Sequence, residues 1–116
     1  MNEILTPANV ERRLMTLSRE LDEATDALIV SEEAYHSAKT AFEIALARTR
    51  ISLGREAKMT VQHKEDLALV ACQAEAEDLT AAETVVKSAR ANIARIRTQI
   101  DIARSLGTSV RTAFDV

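Results

Sequence analysis

Residues 14–42 read LMTLSRELDEATDALIVSEEAYHSAKTAF, and their apolar positions return every seven residues. Leu14, Leu21, Leu28, Tyr35 and Phe42 form one series. Leu17, Ala24, Ser31 and Ala38 form a second, extended by Val10 before the stretch and Ala45 after it. Steps that alternate between three and four residues put both series on one stripe of an α-helix, which is the pattern of a coiled-coil seam.

Working outward, Thr6 followed by Pro7 reads as a helix start. A threonine hydroxyl can accept from free backbone N–H groups, and proline at the first helical position gives up a hydrogen bond the helix could not make. The pattern stops at Leu53-Gly54, where glycine can adopt the left-handed conformation that closes a helix, and Thr60 offers a new N-cap. Beyond it the heptads resume, with Cys72, Leu79, Val86, Ile93 and Ile100 in one series and Val61, Ala68, Glu75, Ala82, Ala89, Ile96, Ala103 and Val110 in the other. Gly107 marks the expected end. The sequence therefore predicts one all-α domain over residues 1–116: a helix over 7–53, a turn over 54–60, a helix over 61–106 and a tail over 107–116.

Two helices of that length, at about 1.5 Å per residue, are each about 70 Å long, and a short connection makes them antiparallel neighbours. If the chain folds back near position 57, facing residues have numbers that sum to about 114. Phe42 then meets Cys72, Tyr35 meets Leu79, Leu28 meets Val86, Leu21 meets Ile93 and Leu14 meets Ile100. The second series pairs Ala45 with Ala68, Ser31 with Ala82 and Ala24 with Ala89, so large layers alternate with alanine layers. Glu75 falls in the seam opposite Ala38 and is expected to weaken it locally.

A two-helix domain buries proportionally little surface. Apolar residues off the seam, among them Ile29, Ile44, Leu46, Leu69, Val85 and Ile102, are read as an interface for self-association into a helical bundle and a homo-oligomer. Ala27, Ala34 and Ala41 add a smooth ridge beside them. Aromatics are only 3% of the chain, so burial must come from aliphatic residues and close helix approach.

Enzyme signatures are scarce. No Gly-rich phosphate loop is present, and the single Cys72 lies on the seam as a small buried thiol. Glu33-x-x-His36 matches half of a helical di-iron motif but lies off the seam with no second copy. No enzyme activity, metal or cofactor is expected. No uncharged stretch approaches the ~20 residues needed to cross a bilayer, and a lone cysteine suits a reducing compartment, so a cytoplasmic protein with no membrane partner is expected.

The formal net charge is -3, yet the second helix is polarised. Residues 65–83 hold Glu65, Asp66, Glu75, Glu77, Asp78 and Glu83 without a base, whereas residues 87–111 hold Lys87, Arg90, Arg95, Arg97, Arg104 and Arg111 against Asp101 alone. Arg90, Arg97, Arg104 and Arg111 recur every seven residues, with Arg111 beyond Gly107. In the expected register Arg104 faces Glu11, while Arg90 and Arg97 face Thr25 and Ser18 and are left for phosphate or for a carboxylate of another subunit. The alternative reading of the same arginines is a solvated helix face that complements the negative C-terminal end of the helix dipole.

A long helix, a short basic turn (Arg48, Arg50, Arg55, Lys58), a second long helix and a tail after Gly107 resemble small phage-encoded helical-hairpin proteins. Among these the layout is similar to the UvsY-type recombination mediators, with local echoes in Ala57-Lys58-Met59-Thr60-Val61 and Ala103-Arg104-Ser105-Leu106-Gly107. The resemblance implies an oligomeric, non-enzymatic accessory protein of recombination or replication that binds the backbone of single-stranded DNA and assists a recombinase. It assigns phosphate contacts to Lys87, Arg90, Arg97, Arg104 and Arg111, and to Arg55 and Lys58 at the turn. The competing expectation is a protein-only adaptor, inhibitor or assembly factor that docks on another helical protein.

Overall fold

A computed structural model describes residues 5–114, and all of its regular structure is helical. Helix α1 spans Pro7–Leu53, α2 spans Val61–Ala71 and α3 spans Gln73–Phe114, with no strand among the described residues. Both helix starts follow their caps. Thr6 Oγ1 accepts from the Asn9 N–H at 3.2 Å, and Thr60 Oγ1 accepts from the His63 N–H at 3.1 Å, each satisfying a donor that the first turn leaves open. Eight threonines donate back to the carbonyl four residues earlier, for example Thr25 to Leu21 at 2.8 Å and Thr84 to Thr80 at 3.0 Å, which accommodates their hydroxyls within long helices.

Four boundary expectations are corrected. Gly54 closes α1 without a positive φ; its N–H donates to the Arg50 carbonyl at 2.8 Å and the Glu56 N–H to the Leu53 carbonyl at 3.0 Å, so successive tight turns replace a left-handed cap. Val61 is 78% exposed, because apolar burial on α2 begins nearly two turns later with Leu67 and Ala68. The second helix is interrupted at Cys72, where φ is -103° and ψ is 23°, and the Cys72 N–H is shared between the Ala68 and Leu69 carbonyls at 3.1 and 3.2 Å. The Ala76 N–H then reaches the Cys72 carbonyl at 3.0 Å and helical bonding resumes. This break lies one turn before Glu75. Finally, α3 does not stop at Gly107 but runs through it to Phe114; of the expected tail, 107–114 is helical and the last two residues lie outside the described ones.

The described residues gather into two units. The first joins the chain up to Leu28 with the chain from Ser88 onward. Its core is Leu17, Ala24, Ile93, Ile96 and Ala103, with Leu14, Leu21, Leu28 and Ile100 packed against it. Leu17 and Ile96 are the most completely buried large side chains, and burial of each contributes on the order of 1.5–3 kcal/mol. Gly107 is buried here as well. A Cβ placed on it would lie 3.1 Å from Val10 Cγ1, so glycine at this position is a packing residue that lets Val10 approach the backbone of α3.

The second unit is Ile29–Lys87. Leu46, Ala68 and Cys72 form its buried cluster, with Phe42, Ala45 and Leu53 packed on it. Thr49 Oγ1 lies 3.5 Å from Cys72 Sγ and 2.8 Å from the Ala45 carbonyl, to which it donates. Having one hydrogen, the hydroxyl accepts from the thiol. Phe42, which the sequence sets opposite Cys72, packs on the cluster that contains it. Leu46 was expected on an outer interface and is instead buried, because Ala45 and Ala68 supply little volume and the neighbouring leucine fills it.

Within this unit Arg50 Nη2 bonds Glu65 Oε2 at 2.9 Å, with both side chains more than 40% exposed. An ion pair this wet contributes between zero and about 1 kcal/mol, so Arg50→Ala should move the thermal midpoint by no more than a few degrees in a circular-dichroism melt.

Candidate nucleic-acid interface

The basic side chains singled out by the sequence divide between the units. Arg90, Arg97, Arg104 and Arg111 belong to the first, and Arg55, Lys58 and Lys87 to the second. In the first unit α3 holds its arginines beside the packed row: Arg97 follows buried Ile96 and Arg104 follows buried Ala103. Burial of those neighbours fixes the rotation of the helix, and the guanidiniums project at the edge of the packed seam. Seven residues of unbroken helix separate Arg97 from Arg104, a rise of about 10 Å.

Arg97 and Arg104 are both exposed, and their guanidiniums have no hydrogen-bond or ion-pair partner among the described residues. The expected pairing of Arg104 with Glu11 is therefore corrected. Glu11 is an exposed residue on the first turns of α1, where two mobile side chains in water gain too little from pairing to hold one geometry. Arg90 is exposed but engaged in an interaction within the chain. Arg111, whose departure from the helix was anticipated, stays in α3 and folds its Nε back to donate to the Gly107 carbonyl at 3.3 Å. Between Ser88 and Phe114 the chain carries five arginines against one acid, Asp101, so positive charge is concentrated on this segment of an acidic protein.

Arg55 and Lys58 are exposed in the connection between α1 and α2. Arg50, counted with them as part of a basic turn, is occupied by Glu65. Tyr35 and Phe42 are half-buried and offer no open ring for stacking a base, while Phe114 is exposed, three residues beyond Arg111 on α3. Arg13, which the sequence does not single out, and Arg95, counted in the basic segment without a role of its own, line a shallow cleft in the first unit with Glu20, Glu23, Asn92 and Gln99. Two acids offset the two bases there, and Arg95 Nη2 already donates to Asn92 Oδ1 at 2.8 Å.

Of the residues assigned to self-association, Ile29, Ile44, Leu69, Val85 and Ile102 are each about half exposed or more. Leu69 and Val70 border an apolar groove on the outer side of α2 and α3 with Ala76 and Ala81. Among the described residues no group of three or more His, Cys, Asp or Glu could hold a metal ion, and no helix is long and apolar enough to cross a membrane. No family model, curated protein or solved structure matches this chain.

Proposed function

We propose that the helices form an antiparallel coiled-coil hairpin that self-associates and serves as a non-enzymatic, cytoplasmic accessory protein in recombination or replication, binding the backbone of single-stranded DNA. The observation that carries this reading is the pair Arg97 and Arg104, with guanidiniums exposed and unpartnered seven residues apart on a helical segment that holds one acid. Guanidiniums held this way bind phosphate oxygens through forked, charge-assisted hydrogen bonds that are indifferent to base sequence. Self-association multiplies such contacts along one strand. Arg90, Arg111 and Lys87 extend the basic segment, and Arg55 and Lys58 add charge at the connection.

The test is fluorescence anisotropy of a labelled single-stranded oligonucleotide over a salt series. Arg97→Glu with Arg104→Glu should weaken binding by at least about tenfold at low salt, and loss of two phosphate contacts should flatten the slope of log K against log salt by about 1.4. Unchanged affinity and slope in the double variant would sink the reading. The apolar groove beside Leu69 and Val70 favours a second reading, a protein-only adaptor docking another helical protein. On that reading the native protein leaves the oligonucleotide unbound even at low salt.

A further inference from the structure

Between residues 30 and 51, α1 carries a second heptad stripe. Val30, Ala34, Ala41, Ile44, Arg48 and Ile51, with Ser37 between the two alanines, follow one another in steps of four and three. All seven are exposed. The first stripe of this segment is occupied within its own unit, where Phe42, Ala45 and Leu46 cluster with Ala68 and Cys72. A helix with two such stripes is built for two neighbours.

The second stripe is complementary to itself. Laid antiparallel on another copy, it sets Ala41 opposite Ile44 and Ala34 opposite Ile51, small against large in both of these apolar layers, while Val30 falls opposite the connection beyond Leu53, and a two-fold axis produces each pair twice. The same register sets Arg48 opposite Ser37, one turn from Glu33, so the one charged position meets a hydroxyl and a carboxylate. Arg48 and Glu33 are both exposed and neither has an ion pair among the described residues. An unrelated helix would have to bring both an acid for Arg48 and a base for Glu33; a second copy of this chain brings both by symmetry.

We infer that α1 of one copy packs antiparallel on α1 of a second along the Ala34–Ile51 part of the stripe, with Arg48 of each held by Ser37 and Glu33 of the other. This rests on the self-association in the proposed function and names its surface and symmetry. Residues 34 and 51 of one helix lie about 25 Å apart, too far to be bridged within a chain. Mixing Ala34→Cys protein with Ile51→Cys protein under mild oxidation should therefore give a covalent dimer, while neither variant alone does so; buried Cys72 stays silent in all three samples. Arg48→Glu should shift sedimentation from dimer toward monomer over a wide concentration range, and Glu33→Arg added to it should restore the dimer. Cross-linking of either single-cysteine variant with itself at the rate of the mixture, or no cross-link in the mixture, overturns the arrangement. Oligonucleotide binding by the Arg48→Glu monomer, measured alongside, tests the arginine face separately, so the two readings can fail independently.

Discussion

Leu17→Asp should abolish cooperative unfolding and most of the helical signal. Leu17 is completely buried at the centre of the cluster that Ala24, Ile93, Ile96 and Ala103 complete. Truncating such a leucine to alanine already costs about 2–5 kcal/mol. Aspartate adds a carboxylate in a pocket whose walls offer it no donor, a further penalty of several kcal/mol whether the group stays charged or is held protonated. A chain of this size is stable by only about 5–15 kcal/mol, so the two terms together remove the folded state at room temperature. Leu28→Asp is the informative contrast. The heptad pattern ranks Leu28 with Leu17, but Leu28 is half-buried at the edge of the same cluster, and an aspartate there can turn toward water. Far-UV circular dichroism should show a weakened but cooperative melt for Leu28→Asp and none for Leu17→Asp; equal melts would mean that the cluster is not centred where it is described.

The contrast locates what periodicity conveys and what it does not. A seven-residue repeat with alternating steps specifies helix and its inward stripe, and Leu14, Leu21, Leu28, Tyr35 and Phe42 on α1 are all at least half-buried, as are Val10, Leu17, Ala24 and Ser31. Thr6 and Thr60 were legible as caps because capping is a local hydrogen bond that depends on side-chain type alone. The break at Cys72 was not legible, since no glycine or proline marks it. Leu46 was misplaced because a heptad assigns each residue a fixed angle, whereas the volume left by Ala45 and Ala68 draws the next large side chain inward. On the basic face, composition revealed the concentration of arginines but not which of them are occupied. Arg111 turns to its own backbone and Arg50 to Glu65 through long, flexible side chains, choices that only the positions of neighbouring acceptors decide.

Gly107→Leu should destabilise the first unit by about 1–3 kcal/mol, the usual cost of forcing extra volume into a packed site. Glycine inside a helix is ordinarily a weakness of roughly 1 kcal/mol relative to alanine, which is why it reads as a stop signal in the sequence. Here α3 continues through it, and the first added carbon would already stand 3.1 Å from Val10 Cγ1. Two opposing terms therefore act at one residue: helix propensity favours a side chain, and the approach of Val10 excludes it. Their separation is measurable by a double-mutant cycle. Gly107→Ala alone should change stability little, because the propensity gain and the crowding of Val10 are of similar size. Val10→Ala alone should lose the burial of its methyl groups. The two together should be more stable than the sum of the single changes by about 1 kcal/mol, since removing the valine leaves the new methyl room and releases the full propensity gain. Strict additivity in chemical denaturation would show that Val10 and Gly107 do not touch.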